Sequence, residues 1–391
     1  MNLPMNVDNP GAEEHNIADA FGECVREELY QDKDFYFFSP DETTSNKVEE
    51  VFDASSRAWA LETKPWDLAL APNGHVIEML SENTLFAVMA GHILTGGAGC
   101  MTSYESFFPI ISSQLDQHLK FLSQSRSVKW RGDVKALNLL STSCWQRQDH
   151  NGFTHQNPAL ISNILAKPSN LANCFFPVDD VAAHAVWEYM KNSKNVVNLA
   201  TFNKIDLPRW IDINHARFQL EQGCSIFQFI SDDNPDIVVA SAGDIPTREA
   251  IEGIKLAKKD APDLKVRYIN IAALSYGAIG TTDRKLSPRD FDDYFTIDKP
   301  ITINFHGYAE TMRGILSHYT DTKRISIHGY SDEGSTTTPL DELARNNCSR
   351  YDIAADILER TGHYEYVEKY RDYLAENAFH ASLTSLDQQA I

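Results

Sequence analysis

No two cysteines stand in a CxxC pair, and none of the six, at positions 24, 100, 144, 174, 224 and 348, has the spacing to histidine that holds zinc. Buried free thiols in a reducing compartment are the expected state. No window approaches the roughly 20 apolar residues that cross a bilayer. Met1 to Glu14 carries no positive stretch leading into an apolar core, so a secretory leader is not expected and a cytoplasmic location is. Basic residues are few: 35 Lys and Arg against 55 Asp and Glu, a formal charge of −20. A field of that sign repels phosphate backbones and anionic lipid head groups, which removes nucleic acid and membrane surfaces from the expected partners. No G-x-G-x-x-G follows a predicted strand, which disfavours a dinucleotide site. No metal ligand is assigned, and neither repeats nor low-complexity tracts occur.

What is present suits two globular domains: 391 residues, 42% of them hydrophobic. Ile17, Ala20, Phe21, Cys24, Val25 and Leu29 recur at helical spacing across Asn16 to Leu29. Short apolar runs at 34–39, 75–80, 134–141 and 196–202 read as strands, and the second leads through Ser81, a candidate N-cap, into a helix over Glu82 to Leu94. After Pro208, Arg209 and Trp210 a second alternating set begins, with strands at 237–242, 266–271, 301–305 and 325–327 and a helix over 247–259. Strands alternating with helices predict an α/β protein with two doubly wound, mostly parallel sheets, divided into 1–209 and 210–391. Arg360 onward reads as helical to Ala378, with a polar tail.

Five segments, in order, carry a resemblance: Ser39-Pro-Asp-Glu-Thr-Thr-Ser-Asn46, Glu78-Met-Leu-Ser-Glu-Asn83, Ser103-Tyr-Glu-Ser-Phe107, Gln148-Asp-His-Asn-Gly-Phe-Thr-His-Gln156 and Gly329-Tyr-Ser-Asp-Glu-Gly-Ser-Thr-Thr-Thr-Pro339. Together they resemble the xylulose-5-phosphate/fructose-6-phosphate phosphoketolase family, from about residue 10 to about residue 360. The resemblance implies the transketolase-like fold, a pyrimidine-binding domain over 1–209 and a C-terminal-type domain over 210–391. Thiamine diphosphate is then the implied cofactor. Family members are about twice this length, and their other half holds the diphosphate and Mg2+ through a Gly-Asp-Gly motif, which does not occur here. A split subunit or a shortened paralogue is therefore expected, with the Mg2+ ligands on a partner chain.

The same resemblance assigns roles. Glu82 matches the glutamate that faces N1′ of the cofactor's aminopyrimidine and promotes its imino form; on spacing alone it is equally a first-turn glutamate favoured by the helix dipole. Tyr104 and Phe107, three apart and so on one face of a helix or tight turn, match the aromatics that stack on the pyrimidine, although such pairs are often plain core. Ser45, Arg126, His150, Asn151 and Lys204 match phosphate- and substrate-binding positions, with surface charge the alternative for Arg126 and Lys204. His155 matches a histidine that assists proton transfer in the sugar, and its pKa range suits that task. Asn83 and Ser125 depart from the family pattern, where His and Tyr are expected. No catalytic residue can be assigned in the second domain.

The implied reaction is cleavage of a ketose phosphate, xylulose 5-phosphate or fructose 6-phosphate, by inorganic phosphate to acetyl phosphate and an aldose phosphate. Its partner would be a diphosphate-domain chain, a second copy of this chain, or both. Two alternatives stay open: a non-catalytic paralogue that regulates or stabilises a full-length enzyme, and a split thiamine enzyme acting on another ketose phosphate. Joint retention of Glu82, Tyr104, Phe107, His150 and His155 argues against decay.

Overall fold

Strands that are apolar along their whole length have to be covered on both faces, which is the condition of a parallel sheet with helices on either side. A computed structural model, which describes residues 3–40, 42–148, 151–168, 170–331 and 337–378, shows two such sheets. In the first, β1 (Phe35–Ser39), β2 (Val76–Glu78), β3 (Ala98–Tyr104), β4 (Leu137–Thr142), β5 (Ala172–Phe175) and β6 (Val197–Thr201) run parallel in the order β5-β6-β4-β3-β1-β2. Two-residue strands at Arg57–Ala58 and Leu70–Ala71 extend it beyond β2. In the second sheet, Ile237–Ala242, Val266–Ile271, Ile301–Tyr308 and Ile325–Tyr330 are parallel, and Cys224–Ile226 joins antiparallel. The α/β class with mostly parallel, doubly wound sheets is therefore the observed one.

The helices follow from the local chemistry. Helix α1 (Ile17–Gln31) begins where the Asn16 side chain accepts from the Ala18 N–H at 3.0 Å, and buries Ile17, Phe21, Val25 and Leu29. Helix α2 (Glu82–Leu94) begins at Ser81, whose Oγ accepts from the Thr84 N–H at 3.3 Å. Helix α3 (Ser112–Ser125) returns between β3 and β4, and helix α4 (Asp180–Asn192) is capped by Asp179. Asp179 also accepts from the N–H groups of Trp210 and Ile211 at 2.8 and 3.1 Å, which pins the connection between the two halves. Helix α5 (Asp244–Asp260) packs in the second half. No helix among the described residues is long and apolar enough to cross a membrane.

Two features escape the sequence patterning. Strands β3 and β5 have no alternation to mark them, because both faces are buried. Second, Ala273–Ser275 and Ala278–Ile279, which belong to the second half of the chain, add antiparallel to β5 in the first sheet. The two sheets thus share chain.

Polar residues also cross the first sheet inside its core. The Asn173 amide donates to Asn198 Oδ1 and the Asn198 amide to Asn138 Oδ1, both at 2.9 Å, on three adjacent strands and with all three residues buried. Each amide finds its partner in one register only, so the ladder opposes slippage of β5, β6 and β4. Asn198→Ala leaves a donor and an acceptor unpaired at once. The expected result is a loss of roughly 2–5 kcal/mol in urea unfolding, and a loss below about 1 kcal/mol would show that the ladder pins nothing.

Candidate functional site

In open parallel sheets, ligands gather at the carboxyl ends of the strands where the winding direction reverses. Here the chain leaves β1 outward to β2 and then crosses back to β3 on the other side of β1. The segments that follow β1, β3, β4 and β6, together with the start of α2, meet at that edge.

After β1 the chain turns through a polar segment that the neighbouring strands hold. Thr43 Oγ1 donates to Glu78, which is ion-paired with Arg57, and buried Asn46 accepts from the Thr142 hydroxyl. This fixes Glu42 beneath the end of β3, where its Oε2 lies 3.4 Å from the Tyr104 N–H. Burial pushes the Glu42 carboxyl up to about 7. The Glu82 charge adds to that rise, while the Tyr104 N–H, the Asn46 side chain and the Lys204 charge oppose it.

Tyr104 ends β3, and the Phe107 N–H returns to its carbonyl at 3.0 Å, so the pair occupies a tight turn. Their rings stack with centroids 5.9 Å apart and planes 9° from parallel. The His155 imidazole meets both edge-on, 5.2 Å from Phe107 and 6.1 Å from Tyr104, with its Nδ1 2.9 Å from the Thr154 hydroxyl. Lys204, just past β6, holds its ammonium 4.4 Å above the Tyr104 ring and donates to the Tyr104 hydroxyl at 3.2 Å and the Ser45 carbonyl at 2.6 Å. Glu82 stands partly exposed in the first turn of α2, and its carboxyl has no hydrogen-bond partner among the described residues.

Glu82, Tyr104, Phe107, His155, Lys204 and the Ser45 backbone are therefore brought to one edge of one sheet. The Ser45 hydroxyl itself donates to the Glu42 carbonyl at 3.1 Å. Asn151 stands at the rim, with its amide donating to buried Gln148 at 2.7 Å. His150 lies outside the described residues.

Arg126 stands apart from this edge. It is exposed at the C-terminal end of α3, which runs from the Tyr104 edge back to the opposite edge, about 20 Å for its 14 residues. Glu42 was missing from the expected site: it falls in the first quoted segment, but only the folded turn shows that it is half-buried within reach of the Glu82 charge. Two depressions of about 470 Å³, one beside Tyr189 and Arg284 and one beside Cys24 and His184, hold none of these side chains.

A family model described as D-xylulose 5-phosphate/D-fructose 6-phosphate phosphoketolase matches residues 19–193, and the model of its C-terminal domain matches residues 204–389. Among curated proteins, the chain is 38% identical over 365 residues to a probable phosphoketolase of Thermosynechococcus vestitus, covering 91% of this chain and 45% of the relative. It is 36% identical over 367 residues to one of Methylococcus capsulatus, covering 92% and 45%. The chain thus spans about half the length of the curated relatives it matches. Among solved structures, a Pichia stipitis transketolase in complex with sedoheptulose 7-phosphate superposes with a TM-score of 0.69 at 15% identity, over 93% of this chain and 48% of that one. A chain titled split gene transketolase, inactive beta4 tetramer, superposes with 0.60 at 12% identity, over 90% and 99%. At these identities the likeness establishes the transketolase-like fold.

The Glu42 carboxyl gives a pH signature. Folded, it keeps its proton up to about 7, whereas unfolded it loses it near 4.5. The folded state therefore binds the extra proton between those values, and stability falls as pH rises through that window. Glu42→Gln is expected to flatten this part of a urea-midpoint profile measured between the two values. An unchanged slope would show that Glu42 ionises as an ordinary surface carboxyl.

Proposed function

We propose that this chain, which belongs to the D-xylulose 5-phosphate/D-fructose 6-phosphate phosphoketolase family, is the pyrimidine-binding half of a thiamine-diphosphate-dependent phosphoketolase completed by a second polypeptide. The observation that carries the reading is the meeting of Glu82, Tyr104, Phe107, His155 and Lys204 at one strand edge, in a chain matched by the family's models over both halves.

The residues suit the cofactor. Tyr104 and Phe107 offer a flat, half-buried aromatic platform, and Glu82 offers a carboxyl with no hydrogen-bond partner among the described residues. Bound thiamine diphosphate supplies the nucleophilic carbon that breaks the ketose next to its carbonyl. Glu82 shares a proton with N1′ of the pyrimidine, the two aromatic residues orient that ring, and His155 moves protons on the sugar hydroxyls. Lys204, with Asn151 and the Ser45 turn, meets phosphate oxygens. Glu42, neutral up to about 7, keeps negative charge low where an anion must approach a chain of net charge −20. The products are acetyl phosphate, an aldose phosphate and one water.

A partner is argued from the surface. Helix α2 buries Leu85, Phe86, Met89 and Ile93 but leaves Ala87, Val88 and Gly91 outward, so it is apolar on both faces. Leu80, just before it, is 80% exposed, and Leu68 and Trp66, on the chain between the two outermost strands of the same sheet, are 82% and 76% exposed. Apolar surface of this kind beside a catalytic edge is suited to a second polypeptide. That chain would be the diphosphate half carrying Gly-Asp-Gly and the Mg2+ ligands, with or without a second copy of this one.

The test is reconstitution of this chain with a Gly-Asp-Gly partner chain, thiamine diphosphate, Mg2+, phosphate and xylulose 5-phosphate or fructose 6-phosphate, measuring acetyl phosphate. Glu82→Gln is expected to lower the rate by about 10²- to 10⁴-fold, the range of positioned proton transfer. Undiminished activity in Glu82→Ala would overturn the assignment. Assembly with a full-length enzyme and no acetyl phosphate from the reconstituted pair would favour a stabilising paralogue instead.

A further inference from the structure

Among the described residues, the second domain contributes no side chain to the stacked platform, yet it reaches the residues on either side of it. Glu105, directly after Tyr104, is 2% exposed, and its Oε1 is paired with Nε2 of His306, itself 1% exposed at the end of strand Ile301–Tyr308. Its Oε2 accepts from the Trp145 N–H at 3.0 Å, the Trp145 indole N–H donates to the His306 carbonyl at 2.7 Å, and Gln146 lies 3.0 Å from His306 Nδ1. Asn203, directly before Lys204, is held in the same manner. Its backbone N–H and its amide donate to the two oxygens of Asp244 at 2.6 and 2.8 Å, with both residues buried.

His306 and Asp244 are themselves neighbours. Phe305 and Ala242 pair directly across the second sheet, and Gly243 joins that strand to α5 with φ +121°, where a Cβ would lie 3.1 Å from His306 Cβ. Only a residue without a side chain suits that corner. One compact edge of the second domain therefore holds Tyr104 through Glu105 and Lys204 through Asn203, and Tyr104 and Lys204 are the two groups joined by the cation–π contact.

We propose that Glu105–His306 and Asn203–Asp244 are paired interdomain clamps, and that these four positioning residues set the Tyr104–Lys204 geometry of the site. The functional part rests on the phosphoketolase reading above; the geometric part does not. A buried carboxylate met by directed donors holds its neighbours more tightly than apolar packing does, because any displacement leaves a charge unpaired.

The test uses the full chain with 3-fluorotyrosine incorporated, the Tyr104 19F resonance being assigned through Tyr104→Phe. Glu105→Gln and Asp244→Asn keep the shapes and weaken the clamps. Ile254→Ala, in the core of the second domain away from both, serves as a control matched for loss of Tm. The expected result is one narrow Tyr104 line in the wild type and the control, with a broadened or split line in either clamp variant. In the reconstituted enzyme kcat is expected to fall about ten- to a hundredfold in the clamp variants, the scale of a small misplacement, and to stay within about twofold in the control. A Tyr104 line unaffected by both clamp variants, or disturbed equally by Ile254→Ala, overturns the proposal. Absence of acetyl phosphate from the wild-type pair counts against the phosphoketolase reading alone, since the resonance comparison stands without it. Should Glu105→Gln fail to fold, Asp244→Asn decides, because Asn203 follows β6 whereas Glu105 follows β3.

Discussion

Carboxylates taken out of water must be met by donors at short range or the fold does not tolerate them. Glu105 and Asp244 are the instances on which this molecule turns. Each draws N–H groups from a different part of the chain, and each stands one residue from a side chain of the candidate site or bonds to a residue that does. The second domain is thereby oriented by two charges placed next to the edge where chemistry is proposed. Packing alone permits sliding; a buried oxygen with a directed N–H does not.

Legibility in the sequence followed the physics of burial. Strands with polar flanks, such as 237–242 and 266–271, could be read to the residue because turns bracket them. The helix over Glu82–Leu94 was marked by its Ser81 cap. β3 and β5, covered on both faces, carry no alternation, and Tyr104 was accordingly read by its spacing to Phe107 with no sign that it closes a strand. The site was legible through the short motifs: residues distant in sequence, Glu82, Tyr104, His155 and Lys204, come together because each follows the carboxyl end of a parallel strand or opens the helix after one. That Arg126 lies apart from them could not be read, because spacing from a motif says nothing about which end of a helix a residue occupies. Glu42 and Glu105 could not be singled out, since a glutamate's burial depends on chain that arrives from elsewhere.

Charge placement reconciles an acidic protein with the anionic substrate proposed for it. Lys204 is held over an aromatic face and donates to a carbonyl, which orders its ammonium at the edge. Partial burial of Glu42, by raising its carboxyl to about 7, reduces a competing negative charge locally. The field close to the platform is thus decided by a few groups at short range, because the many surface acids are screened over a distance of about 8–10 Å.

The strand at Ala273–Ser275 sits in the first sheet although it belongs to the second half of the chain. A fragment cut near residue 209 would strip β5 of that neighbour and present a bare row of N–H and C=O groups along an apolar strand, the kind of edge that templates aggregation. Dissection into separately expressed domains therefore runs against the topology. The shared sheet thus ties the two halves of the chain together as one folding unit.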